Sequence, residues 1–239
     1  MKPNTRVSTL LLTAVIILVG VVRFAGAAED KPQVKLLPDD PKAVAARVKA
    51  LSESAPQGGK LLAYLNCGTQ RQSATGNDVT ISWKSGEAYL FRSEAKDVPP
   101  TQPTIFFDAN RVAFELAGLD RSRRYMVGLT WWDYDAGGRT QMVTVGSPDE
   151  RLVRIAVPAI GLPNYTDAGQ LPDERRFHLP VTFAKAGRMS LVVQRVTGAN
   201  TVISEICADA LGLPIGCFVL IGPGTALTPD CGKTSASRQ

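Results

Sequence analysis

Two hydrophobic periods divide the chain. Between Asp40 and Leu51, apolar side chains recur every three to four residues, so Val44, Val48 and Leu51 share one face of a short helix. Asp40 supplies an N-cap and Pro41 fits the first helical position, with Gly58-Gly59 closing the segment. The apolar stripe is made to pack, either on the rest of the domain or on a partner. From Leu61 onward the period drops to two. Runs of β-branched and aromatic residues bounded by Gly, Pro, Asn or Asp predict strands near 61–66, 79–83, 88–92, 104–108, 111–116, 124–132, 139–145, 151–157, 176–183, 188–196 and 201–207.

The alternation is informative residue by residue. Val112, Phe114 and Leu116 take one face while Arg111, Ala113 and Glu115 take the other, the pattern of a strand with one wet side. Tyr125, Val127, Leu129 and Trp131 form a second apolar face. Asp108-Ala-Asn110 suits a tight hairpin, and Gly137-Gly138 supplies positive φ between two strong strands. About eleven short strands with little helix between them imply an all-β sandwich or barrel and exclude a βαβ fold. The segment 158–175, rich in Pro, Gly and Asp, is the one long loop, a common location for binding groups.

The ends suggest export. Lys2 and Arg6 precede an apolar run from Leu10 to Val22, and Ala25-Gly26-Ala27 follows, which is the order of a secretory signal. The competing reading is an uncleaved anchor, but Arg23 interrupts the run short of the ~20 residues that span a bilayer. The expected organisation is therefore a leader at 1–27, a linker with the helix at 28–60, a sandwich at 61–208 and a tail at 209–239, with a periplasmic or secreted location and no membrane contact after cleavage. Loss of Lys2, Arg6 and Arg23 with the leader lowers the net charge of +5 by three, to +2, which gives no footprint for nucleic acid. The four cysteines of an exported chain can form disulfides. Cys67 and Cys207 fall in the first and last predicted strands and Cys217 and Cys231 in the tail, so the expected pairs are Cys67–Cys207 and Cys217–Cys231. The alternative keeps Cys67 and Cys207 as buried free thiols.

Catalytic chemistry finds little material. His178 is the single histidine and lies in a predicted strand, so any Ser-His or Cys-His relay must run through it. A paired-carboxylate mechanism would draw on Asp133, Asp135 and Glu205, which also read as turn and strand residues. The chain is thus expected not to be an enzyme. Binding has better candidates. Trp131-Trp132-Asp133-Tyr134-Asp135 ends a strand, and alternation sends the two tryptophans to opposite faces, so one of them is core and the other is covered by a loop or offered to a ligand. Flat aromatic faces stack on sugar C–H groups while Asp and Asn accept hydroxyl hydrogen bonds. The candidate ligand-binding residues are Tyr89, Trp132, Asp133, Tyr134, Asn164 and Tyr165. No cofactor is required, although Asp133 and Asp135 could hold a structural calcium ion.

Three stretches together resemble the galactose-binding-like, malectin-type jelly-roll family of carbohydrate-binding modules. These are Tyr64-Leu-Asn-Cys-Gly68, Leu119-Asp120 through Tyr125-Met-Val-Gly-Leu-Thr-Trp-Trp-Asp133, and Gly198-Ala-Asn200-Thr-Val-Ile-Ser-Glu205-Ile206. The resemblance runs from about residue 61 to 208 and implies a β-sandwich jelly roll that binds glycans through its loops. Residues 61–208 are expected to form the module without the catalytic domain that often accompanies such modules, and the tail after Cys207 is unlike their usual ending. The expected function is a non-catalytic module contacting a glycan or cell-envelope polysaccharide. The alternative is a structural or protein-interaction module of the envelope, using sheet edges or the amphipathic helix to reach an envelope protein.

Overall fold

A computed structural model describes residues 35–91, 103–164 and 172–212. The expected leader, Tyr165, and the Cys217–Cys231 pair lie outside the described residues. In chain order the elements are α1 (Pro41–Glu53), β1 (Lys60–Asn66), β2 (Thr80–Ser85), β3 (Glu87–Leu90), β4 (Thr104–Asp108), β5 (Arg111–Ala117), β6 (Tyr125–Trp131), β7 (Thr140–Gly146), β8 (Val153–Gly161), β9 (Asp173–His178), β10 (Met189–Thr197), β11 (Thr201–Ile203) and β12 (Glu205–Ala210). Short 3₁₀ turns occupy Pro56–Gly58 and Val181–Phe183.

The strands form three antiparallel sheets, ordered β1-β12-β6-β9, β2-β5-β10-β7-β8 and β11-β4-β3. The first two face each other across one core. Leu65, Val127, Leu129, Trp131, Ile206 and Ala208 from the first meet Ile81, Phe114, Leu116, Val143, Val145, Leu191 and Val193 from the second. This is a β-sandwich, as the period-2 pattern predicts. The third sheet closes one side of it, sending Phe106 and Ile203 into the same core, where Phe106 stacks on Trp83 with centroids 4.7 Å apart.

Helix α1 begins where the sequence predicts. The Asp40 carboxylate accepts from the backbone N–H of Lys42 at 3.0 Å and of Ala43 at 3.1 Å, two donors that have no partner within the helix. Its stripe packs on the domain itself: Val44, Val48 and Leu51 lie against Leu61, Tyr64 and Cys207 on the outer face of the first sheet. Both faces of β1 and β12 are therefore covered, which is why these strands are buried nearly end to end. Arg47 fixes the helix in register. Its Nε and Nη2 donate to Glu205 at 3.1 and 2.9 Å, and Nη2 also reaches Glu174 at 2.8 Å.

Two expectations need correction. The turn at Asp108-Ala-Asn110 is no hairpin, because β4 and β5 belong to different sheets. Asp108 Oδ1 accepts from the N–H of Asn110 and of Arg111, turning the chain from one sheet into the next. The second correction is the Cys67–Cys207 disulfide: both are buried free thiols. Tyr64 pairs with Cys207 in the β1–β12 ladder, and Cys67 lies three residues after Tyr64. Pleat alternation then puts Cys67 on the core face and Cys207 under α1. Neighbouring strands with opposed side chains cannot be bridged.

Candidate functional site

The outer face of the small sheet is aromatic. In its register Val202 opposes Phe107, Phe107 opposes Glu87, and Ile105 opposes Tyr89. Alternation thus turns Val202, Phe107, Ile105 and Tyr89 away from the core that Phe106 enters. Phe91 continues the face, its N–H bonded to Pro103 O at 2.8 Å. Tyr89 is 51% exposed and meets Phe107 edge-on at 5.9 Å, while Phe91 meets Tyr134 at 5.2 Å.

The opposite wall is the turn between β6 and β7, organised by one carboxylate. Asp133 Oδ1 accepts from the Gly137 N–H at 3.0 Å and from Arg139 Nη1 at 2.5 Å. Its Oδ2 accepts from the Gly138 N–H at 2.8 Å and the Arg139 N–H at 3.2 Å. Ala136 and Gly138 take positive φ to wrap the backbone around it. Arg139 is almost wholly buried, and Nη1 also bonds Asp135 while Nε donates to Asn200 Oδ1 at 2.9 Å. Gly198 lets the 198–200 turn approach this wall, since a Cβ there would lie 2.8 Å from Arg139 Cα.

Between the walls lies an open cleft of about 160 Å³, lined by Tyr89, Phe91, Phe107, Tyr134, Asp135 and Arg139, with Ile105, Val202 and Asn200 completing it. Burial favours a neutral Arg139, but hydrogen bonds and charge from Asp135 and Asp133 outweigh it and hold the guanidinium above its ordinary range. The same hydrogen bond holds the Asp135 carboxyl below the usual carboxylate range. Asp133, Asp135 and Arg139 together carry one net negative charge.

The sequence candidates are distributed unevenly across this geometry. Tyr89 and Tyr134 line the cleft; Tyr134 is buried behind its rim with its hydroxyl bonded to Ser204 Oγ. Trp132, 3% exposed, packs beneath the cleft with Ile105, Tyr134 and Val202, so it is covered and not offered to a ligand. Asp133 is likewise buried and cannot accept a ligand hydroxyl without surrendering the turn. Nor does it stand ready for calcium, because all its acceptor positions are taken by N–H donors and the guanidinium occupies the place of a cation. Asn164 pairs with Asp133 as an isolated bridge at the wall's back. Among the described residues no cluster of three metal-ligating side chains occurs.

Sequence reasoning missed Phe91, Phe107, Arg139 and Asn200. Phe107 was within reach, since period 2 puts it opposite the core residue Phe106. Arg139 gave no local signal, because its role depends on a carboxylate six residues earlier. Two of the residues weighed for catalysis, Glu205 and His178, do not line the cleft. Glu205 accepts from the Tyr64 hydroxyl at 2.8 Å and from Arg47 beneath α1, and His178 is exposed on the edge strand β9.

No family model matches the chain, and no curated protein does either. Among solved structures, the ANX2 ectodomain from Arabidopsis thaliana is similar with a TM-score of 0.46 at 11% identity, over 65% of this chain and 51% of that one. The CBM22-1 xylan-binding domain of Paenibacillus barcinonensis Xyn10C gives 0.41 at 10% identity, over 66% of this chain and 98% of that one. A Bacteroides uniformis beta-glucuronidase gives 0.40 at 9% identity, and the match spans only 14% of its length. Likeness of this degree assigns nothing; the sandwich is established by the chain's own sheets and core.

Proposed function

We propose that the chain is an exported, non-catalytic saccharide-binding module that holds a glycan, such as an envelope polysaccharide, in the cleft between the small sheet and the β6–β7 turn. The observation that carries this reading is the half-exposed ring of Tyr89 beside Phe107, facing Asp135, Arg139 and Asn200 across a preformed opening. An apolar ring face buries the C–H groups of a pyranose, and convergent polar side chains fix its hydroxyls. Asp135 keeps one carboxylate oxygen beyond its bond to Arg139, and Asn200 spends its carbonyl on Arg139, leaving the amide nitrogen as a donor. The wall needs no rearrangement to present them, because Asp133 already holds the turn.

The test is a glycan-array screen of the purified protein followed by titration of any hit. Selective retention that falls about tenfold in Tyr89→Ala, a loss of about 1.4 kcal/mol, supports the cleft. Equal retention by wild type and Tyr89→Ala removes it.

One observation favours the second reading, a protein-interaction module. Strand β8 lies at the edge of the five-stranded sheet, and Val153 and Ile155, with Leu152 just before them, are half exposed. Such an edge can accept an added strand. That reading expects a stable crosslinked partner, lost when Ile155 becomes Lys, and no saccharide affinity.

A further inference from the structure

The charge of the cleft bears on what kind of saccharide it takes. Its aromatic lining is four rings in two pairs, Tyr89 with Phe107 and Phe91 with Tyr134. Ring faces carry negative potential and attract a cation within ~6 Å of the centroid. The Asp135 side chain is 56% exposed beside them. Glu87, also exposed, stands on the same sheet face opposite Phe107. Among the described residues lining the cleft, Arg139 is the cation. It is 3% exposed, and its Nη1 and Nε are committed to two carboxylates and Asn200, so its charge is cancelled before a ligand arrives. Arg195 does not line the cleft; it bonds the carbonyls of Gly198 and Ala199 and the side chain of Asn110.

We infer that the cleft selects a saccharide bearing a protonated amine, a free amino sugar, over its N-acetylated, neutral or uronic counterparts. The inference rests on the saccharide reading of the cleft. An ammonium group beside Tyr89 and Phe107 gains from the ring faces and from the unspent charge of Asp135 and Glu87. A uronate carboxylate brought to the same place faces the Asp135 carboxylate, with Glu87 outside the lining on the same sheet face, and like charges in juxtaposition are costly. Acetylation of the amine removes the charge but adds an amide and a methyl group, so the salt dependence and the Glu87→Gln variant isolate the charge effect. At a site this open the charge preference is worth about tenfold in affinity at low salt and fades as salt screens it.

The test is calorimetric titration of the whole purified protein at pH 6 with three probes. These are a glucosamine oligomer, its fully N-acetylated equivalent and tetramethylammonium chloride, each at low salt and in 1 M NaCl. Wild type is expected to bind the amino oligomer about tenfold more tightly than the acetylated one, with the advantage lost at high salt. Glu87→Gln and Asp135→Asn, with unchanged melting profiles, are each expected to erode that advantage. Glu87 is exposed and forms no ion pair among the described residues, so its variant remains interpretable even where Asp135→Asn unsettles Arg139. Equal or tighter binding of the acetylated oligomer overturns the charge inference and leaves the saccharide site standing. Binding of tetramethylammonium with no gain from the attached sugar keeps the cation preference and overturns the saccharide reading. No binding by any probe overturns both.

Discussion

Asp133 and Tyr89 stand on opposite sides of a division between residues that build the cleft and residues that face its opening. Asp133 is buried, shares a buried guanidinium with Asp135 and accepts three turn N–H groups, so Asp133→Ala leaves those donors unpaired and Arg139 with Asp135 alone; denaturant unfolding is expected to show a loss of about 3–5 kcal/mol. Tyr89→Ala removes an exposed ring and is expected to shift stability by less than about 0.5 kcal/mol in the same measurement, while weakening saccharide retention. A third residue gives a pH signature. The Asp209 carboxylate is buried with neither oxygen hydrogen-bonded, Arg176 standing 3.7 Å away, and burial raises its pKa against the weaker pull of Arg176. A folded-state pKa above the unfolded one means that ionisation costs stability, fully above the folded value and not at all below the unfolded one. Asp209→Asn is therefore expected to raise the melting temperature at pH 7, with the gain shrinking as pH falls through the carboxylate range. A melting temperature lowered equally at both pH values would contradict this. At this scale the sequence was legible in part. Alternation correctly parted Trp131 from Trp132, but it could not reveal that a second sheet would cover Trp132 as well. Asp133-x-Asp135 read as a turn or calcium pair because the arginine that occupies both carboxylates is recognisable only once the turn is folded.

Elements were more legible than their partners. Asp40-Pro41 and the spacing of Val44, Val48 and Leu51 are local signals, and α1 forms where they indicate. Period 2 located most of the strands, although β1 and β12 bury both faces. The segment 201–207 divides, where Ser204 leaves β11 and takes up both Thr130 O and the Cys67 N–H. Strands β8 and β9 reach into the expected 158–175 loop, and Val181–Phe183 is a 3₁₀ turn where the period predicts that the 176–183 strand continues. Which strand pairs with which is a long-range outcome. The turn after β4 reads as a hairpin in sequence, yet it carries the chain between sheets, as does the turn after β6. The Cys67–Cys207 expectation failed the same way: the two strands are neighbours, as supposed, but the register sets the thiols on opposite faces. Burial raises the Cys207 pKa to about 12, so its thiolate, the reactive form, is scarce at neutral pH. In a chain with Cys217→Ser and Cys231→Ser, native labelling of both thiols is expected to be slow. Weakening the α1 contact with Leu51→Ala should release Cys207 before Cys67, read by mass spectrometry of labelled peptides. Recovery of a Cys67–Cys207 disulfide peptide without reductant would refute the assigned faces.

Across the whole molecule, the two large sheets make a core and the small sheet turns its outer, aromatic side to the cleft. Gln141 joins these parts. From β7 its side-chain amide donates to Val202 O at 2.9 Å and accepts from the Val202 N–H at 2.6 Å, fixing β11 and the cleft floor to the sandwich. Gln141→Leu leaves both backbone groups buried and unpaired, at about 1–3 kcal/mol for each, and is expected to lower stability and saccharide affinity together. Tyr89→Ala, by contrast, should lower affinity alone. The fold class was readable because many short strands with one helix admit few architectures. The cleft was not, since its two walls are 28 residues apart at Phe107 and Asp135 and meet only through sheet assembly. The most direct measurement is therefore the affinity of wild-type protein and Tyr89→Ala for the best array ligand, with unfolding curves recorded on the same samples. A roughly tenfold loss of affinity at unchanged stability is the expected result. Undiminished affinity in a folded Tyr89→Ala protein would contradict the assignment of this cleft as the binding site.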